Sequence, residues 1–179
     1  MERSSQLRKL TTMGMMAAVS IILVYLIHFP IFPAASFLEY DPADIPIFIC
    51  TFLYGPLIVS FIQGFTVSAQ SGIIGVMMHI FATGFFTIVA GNIYKNNRNK
   101  KTAVKALIIG SIIMVLMMCI WNIIFTPLFM GTPRDVVMKM IVPIIIPFNA
   151  IKAGVNSFIC FLIYKKIANH IPHGAAIND

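Results

Sequence analysis

The chain has 179 residues, 59% of them hydrophobic and only 11% charged, with a net charge of +7. That balance excludes a water-soluble globular domain, because so few charged groups cannot solvate the surface of a compact fold, and it predicts an integral membrane protein. No polar block is large enough to fold separately, so a single membrane domain over 1–179 is expected, without an ATPase or extramembrane catalytic unit.

A spanning helix needs about 20 apolar residues at about 1.5 Å rise each. Residues 1–12 form a basic N-terminal segment, with Arg3, Arg8 and Lys9, and the first span follows over 13–32. No small-residue cleavage site precedes Pro30, so this span reads as retained and not as a removed signal peptide. Pro30 and Pro33 end it, since proline interrupts the helical ladder and restricts the residue before it. The loop from Phe29 to Tyr40 is too apolar for a plain connector and reads as a lid on the outer face. In Asp41-Pro42-Ala43-Asp44-Ile45-Pro46 the next helix begins, with Asp44 expected as its N-cap.

Residues 45–65 are interrupted by Gly55-Pro56 and reach only about 32 Å as a helix, enough for one full crossing. Charge argues for two. Loops rich in Lys and Arg stay in the cytoplasm, and ten of the 13 basic residues fall before the first span, in the 95–105 loop, or at Lys165 and Lys166. The opposite side would carry only Arg134 and Lys139, alongside Glu39, Asp41, Asp44 and Asp135. Keeping both basic ends and the basic middle loop on one side requires two shortened segments, 45–54 and 57–67. The remaining spans are 72–94, 104–126 and 141–164, followed by a cytoplasmic tail at 165–179. The expected fold is therefore an all-α polytopic membrane bundle of six transmembrane segments, both termini cytoplasmic.

Lys152 is the only basic residue inside the apolar run 141–164. A cation in the bilayer core costs at least about 2.5 kcal/mol on insertion scales, so it needs a partner or a ligand. Asn149 and Asn156 lie three and four residues away, on the same helical face. That face is the leading candidate for a binding site. Asn122, beside Trp121, is a further buried polar candidate, equally readable as an interhelical hydrogen bond. Gln63 and Ser68 to Ser71 are weaker candidates bordering the same site. His79, alone on an apolar face, reads as a packing histidine. Cys50, Cys119 and Cys160 lie in apolar runs with no paired spacing and read as small hydrophobes, so no metal site is expected.

Gly14 and Ala18 are four apart in the first span, with Ala17 adjacent. Small residues at this spacing allow a second helix to approach closely, either inside the bundle or from a partner protein. An intramembrane serine protease is a poor alternative, because Ser71 in Ala69-Gln70-Ser71-Gly72 lacks a histidine base on another helix.

Taken together, the hydrophobic loop, the aspartate-proline segment entering the second helix, and the small-residue first helix resemble the substrate-binding S components of energy-coupling factor (ECF) vitamin transporters. With Pro147-Phe148-Asn149-Ala150-Ile151-Lys152-Ala153-Gly154-Val155-Asn156 in the last span, the resemblance narrows to the riboflavin-specific S components. It implies a non-enzymatic protein that captures riboflavin at the outer face as a transported ligand. It also implies a transmembrane coupling protein and two ATPases as partners, with no cofactor and no nucleic acid. By the same resemblance, Leu38, Glu39 and Tyr40 would close over the ligand, Asn149 and Lys152 would hold flavin polar atoms, and Gly14, Ala17 and Ala18 would dock the coupling protein. An S component for another vitamin, such as a pantothenate-like acid, keeps the same fold and would also suit a buried lysine.

Overall fold

The computed structural model describes residues 2–55 and 72–167. The proposed segment 57–67, Gln63, residues 68–71 and the last twelve residues of the tail lie outside the described residues. Helix α1 runs Glu2–Leu26, α2 Asp44–Tyr54, α3 Gly72–Asn96, α4 Lys100–Met130, α5 Arg134–Met140 and α6 Ile146–Ile167, with a five-residue π turn, Ile141–Ile145, joining α5 to α6. Among the described residues four stretches, Gln6–Leu26, Met77–Asn96, Lys100–Leu128 and Arg134–Tyr164, are long and apolar enough to cross a membrane, and α2 is a shorter apolar helix. The chain is a multi-pass membrane protein, and among the described residues its architecture is an all-α bundle with one small hairpin.

Local chemistry accounts for the ends of these helices. Asn99 caps α4 by accepting from the Thr102 N–H at 2.8 Å. Gly131, in the left-handed conformation at φ 65°, stops the same helix where a Cβ would be strained. Around Pro143 and Pro147 two backbone N–H donors are missing, and the ladder widens there into the π turn.

The first span departs from expectation at its outer end. It finishes at Leu26 and not at residue 32, and Phe29–Pro30 instead forms a two-residue strand, β1, paired antiparallel with β2, Glu39–Tyr40. Proline is tolerated there because an edge strand need not donate its N–H. The apolar side chains between the strands pack downward, with Ala35, Leu38 and Tyr40 clustering with Val137, Ile145 and Phe148. The lid expected over 29–40 is thus a hydrophobic flap seated on α5, the π turn and the start of α6.

Beneath the flap, α2 and α3 meet through Phe48 stacked on Phe86 with ring centroids 3.7 Å apart, and α4 presses close to Phe86 at Gly110. Any Cβ at Gly110 would lie 2.9 Å from the Phe86 ring, so glycine is required for this approach. At the far end Phe52, Tyr94 and Tyr164 form an aromatic cluster in which the two tyrosine hydroxyls are hydrogen-bonded, and Lys9 lies over the Tyr54 ring. Helix α2 therefore descends from the flap toward the first half of α1. Helix α3 begins at the flap end and descends as well, α4 returns, and α6 descends again.

Candidate functional site

At the flap end a cavity of about 290 Å³ opens between the helices. It is lined by Leu38, Glu39 and Asp41 from the flap, His79 from α3, Asn122 from α4, and Asn149 and Lys152 from α6, with Phe37, Met78, Met118 and Phe148 among its apolar walls. Apolar walls with a few convergent polar groups are the usual make-up of a small-molecule site, and the volume lies near the lower end of the range for such pockets, about 300 Å³.

The polar floor of the cavity is organised by the aspartate-proline segment. Lys152 Nζ, on a residue only 2% exposed, donates to Asp41 Oδ2 at 2.6 Å. The other Asp41 oxygen accepts from the Ala43 N–H at 3.1 Å. Burial alone would raise the Asp41 pKa, but the adjacent ammonium outweighs it and holds the carboxyl below the ordinary carboxylate range. Tyr40 is shifted the other way: its burial, together with the Asp41 charge, pushes the phenol up.

Asn156 forms a second layer. Its Oδ1 accepts from the Tyr40 hydroxyl at 3.0 Å, and its Nδ2 donates to the Asp41 carbonyl at 3.2 Å and, more weakly, to Asp44 Oδ2 at 3.5 Å. Asp44 Oδ1 accepts in turn from Thr83 on α3 at 3.2 Å, and Ser20 on α1 donates to the Ala43 carbonyl at 2.8 Å. Helices α1, α3 and α6 are therefore all tied to the segment. The segment Asp41 to Asp44 acts as a polar knot fixing the flap to the bundle.

One expectation is corrected by this geometry. Asp44 does not cap α2: it is the first helical residue, the cap position is Ala43 without a side-chain bond, and the carboxylate turns inward to Thr83 and Asn156. Tyr40 and Asn156 are not among the residues lining the cavity: the Tyr40 hydroxyl donates to Asn156, and the Asn156 amide donates to Asp41 and Asp44. His79 is among the residues lining the cavity, and its Nδ1 is buried without a hydrogen-bond partner among the described residues. Leu38, Glu39, Asn122, Asn149 and Lys152 are brought together around the one cavity. Asp41 was missed as a site residue, since nothing local marks a loop carboxylate as the partner of a lysine 111 positions away.

The family model for the substrate-specific component of ECF transporters matches residues 8–164. The chain belongs to this family of S components. Similar proteins include the riboflavin transporter RibU of Staphylococcus aureus, 30% identical with 93% of each chain covered. RibU of Streptococcus thermophilus is 26% identical, covering 89% of this chain and 82% of that one, and the riboflavin transporter FmnP of Bacillus subtilis is 26% identical, covering 90% and 93%. Among solved structures, the S component of a bacterial ECF transporter superposes with a TM-score of 0.77 at 32% identity, covering 92% of this chain and 98% of the other.

In this S component the small-residue positions of α1 face outward. Gly14 and Ala18 are exposed, Ala17 is half-buried, and a Cβ built at Gly14 meets no atom within 4 Å among the described residues.

Proposed function

We propose that this S component captures riboflavin in the cavity beneath the flap, for ATP-driven uptake by an ECF coupling module. The observation that carries the reading is the convergence of Leu38, Glu39, Asn122, Asn149 and Lys152 from three separate elements on one cavity, in a chain whose relatives along nearly its whole length are riboflavin transporters. Riboflavin has an apolar tricyclic ring, an imide edge of carbonyls and N–H, and a hydroxylated tail. The aromatic and methionine walls suit the ring. Lys152 and Asn149 donate to the imide carbonyls, and Glu39 accepts from hydroxyls.

An acidic vitamin has less support. Lys152 already has Asp41 as its counter-ion at 2.6 Å, so the ammonium does not call for an anionic ligand. What it offers is a polarised N–H toward a neutral carbonyl.

Delivery is the task of partners: a transmembrane coupling protein and two ATPases. The exposed small residues Gly14 and Ala18, with Ala17 beside them, are the proposed docking face, where a partner helix packs without side-chain obstruction. The proposed topology has six crossings with both termini cytoplasmic. Its support is that α2 ends beside the first half of α1 while α3 starts at the flap end, so that one more crossing between them lets all the basic loops share a side.

The test is titration of the purified protein with riboflavin, read by quenching of flavin fluorescence. One site per chain is expected, and pantothenate added in excess should leave the quenching unchanged. Protein that leaves flavin fluorescence untouched contradicts the assignment.

A further inference from the structure

Most polar groups around the cavity are already used on one another. Lys152 is held by Asp41, Asp41 accepts from Ala43, the Asn149 amide donates to the Ile145 carbonyl, and Asn122 donates to Met118 and accepts from Thr126. His79 is different. Its ring borders the cavity, yet its Nδ1 is buried with no hydrogen-bond partner among the described residues. Buried polar atoms are nearly always paired, and one left dry destabilises the fold unless something else satisfies it. No group of the described residues satisfies this nitrogen, and the ring that carries it is part of the cavity wall.

Position narrows what satisfies it. Asn149 and Lys152 lie on α6, whereas His79 lies on α3, and the ligand space is between them. A flavin has two polar parts, the imide edge and the ribityl chain. With the imide edge turned to α6, the group left for α3 is a hydroxyl. A hydroxyl also fits either imidazole tautomer, because it can donate to a bare nitrogen or accept from an N–H.

We propose that His79 is a specificity-determining residue of this site, pairing with a hydroxyl of the ribityl chain. The inference rests on the riboflavin reading above and goes beyond it in naming the residue that distinguishes a ribityl flavin from a flavin without the chain.

The experiment compares riboflavin with lumiflavin, which carries a methyl group in place of ribityl, on wild type, His79→Phe, His79→Leu and His79→Gln. Wild type should prefer riboflavin. In His79→Phe or His79→Leu, whichever gives folded protein by thermal melting, riboflavin affinity should fall about tenfold or more while lumiflavin affinity stays the same. His79→Gln, which keeps a hydrogen-bonding group, should retain most of the preference. Equal loss for both flavins, or no loss for either, overturns the role proposed for His79. Wild-type protein that binds neither flavin overturns the riboflavin reading instead, so the two failures are distinguishable.

Discussion

The residue on which the site turns is Lys152, and its environment shows how a charge persists at this depth. An unpaired ammonium in the bilayer core is costly. Here it is paired at 2.6 Å with Asp41, whose remaining oxygen is satisfied by backbone. Breaking one side of a buried pair costs about 3 to 5 kcal/mol, while replacing both by neutral groups of similar size is often nearly neutral. Asp41→Asn and Lys152→Met should therefore each lower the melting temperature of the protein in detergent, and the double variant should recover most of the loss. Additive losses in the double variant would show that the two residues do not act as a pair.

The same pair fixes a pH dependence. The folded Asp41 pKa lies below its unfolded value, so its contribution to stability is fully present above the ordinary carboxylate range and is lost as pH falls through the lower, folded value. Melting temperatures of wild type and Asp41→Asn should consequently differ by a constant amount between pH 6 and 8, and the gap should close only below the ordinary carboxylate range. A gap that closes between pH 6 and 8 would contradict the ion pair.

At the scale of elements, the four long apolar helices of the described residues were legible and their facing was not. Length and hydropathy alone mark the long helices, because a crossing needs a fixed run of apolar residues. Which side of each helix looks inward is hidden in this chain, since lipid and protein interior are both apolar and leave no amphipathic period to read. The exception is α6, where Asn149, Lys152 and Asn156 mark the inner face by polarity, and all three are buried as their spacing implies. His79 shares its helical face with Thr83 and Thr87, four and eight positions on and both buried, but threonines do not interrupt an apolar run as a lysine does, so the row did not stand out. Asp44 was misread because an aspartate before an apolar run has the same local pattern whether it caps the helix or points into the bundle. The flap was legible as an apolar lid but not as a hairpin, because the pairing of Phe29 with Tyr40 bridges a loop whose packing partners lie on α5 and α6.

The close approach of α3 and α4 gives a test at this scale. With a Cβ at 110 meeting the stacked Phe86 ring at 2.9 Å, Gly110→Ala forces the ring or the helix to shift. Overpacking of this kind typically costs about 1 to 3 kcal/mol, so a lower melting temperature is expected. Unchanged melting would mean that the two helices are not held at this distance.

For the whole molecule, the division of labour follows from where polar groups were placed. The aspartate-proline knot binds the flap to α1, α3 and α6, the cavity lies beside it, and Gly14 and Ala18 of α1 are exposed among the described residues. The proposed riboflavin capture needs all of this but depends most on the Lys152 N–H groups reaching the ligand. The direct measurement is the riboflavin dissociation constant of the charge-neutral double variant, Asp41→Asn with Lys152→Met, against wild type, by fluorescence quenching on protein shown to be folded. Loss of a charge-assisted hydrogen bond worth about 1.5 to 3 kcal/mol predicts binding weaker by roughly tenfold to somewhat over a hundredfold. An unchanged dissociation constant would remove Lys152 from the ligand and contradict the account.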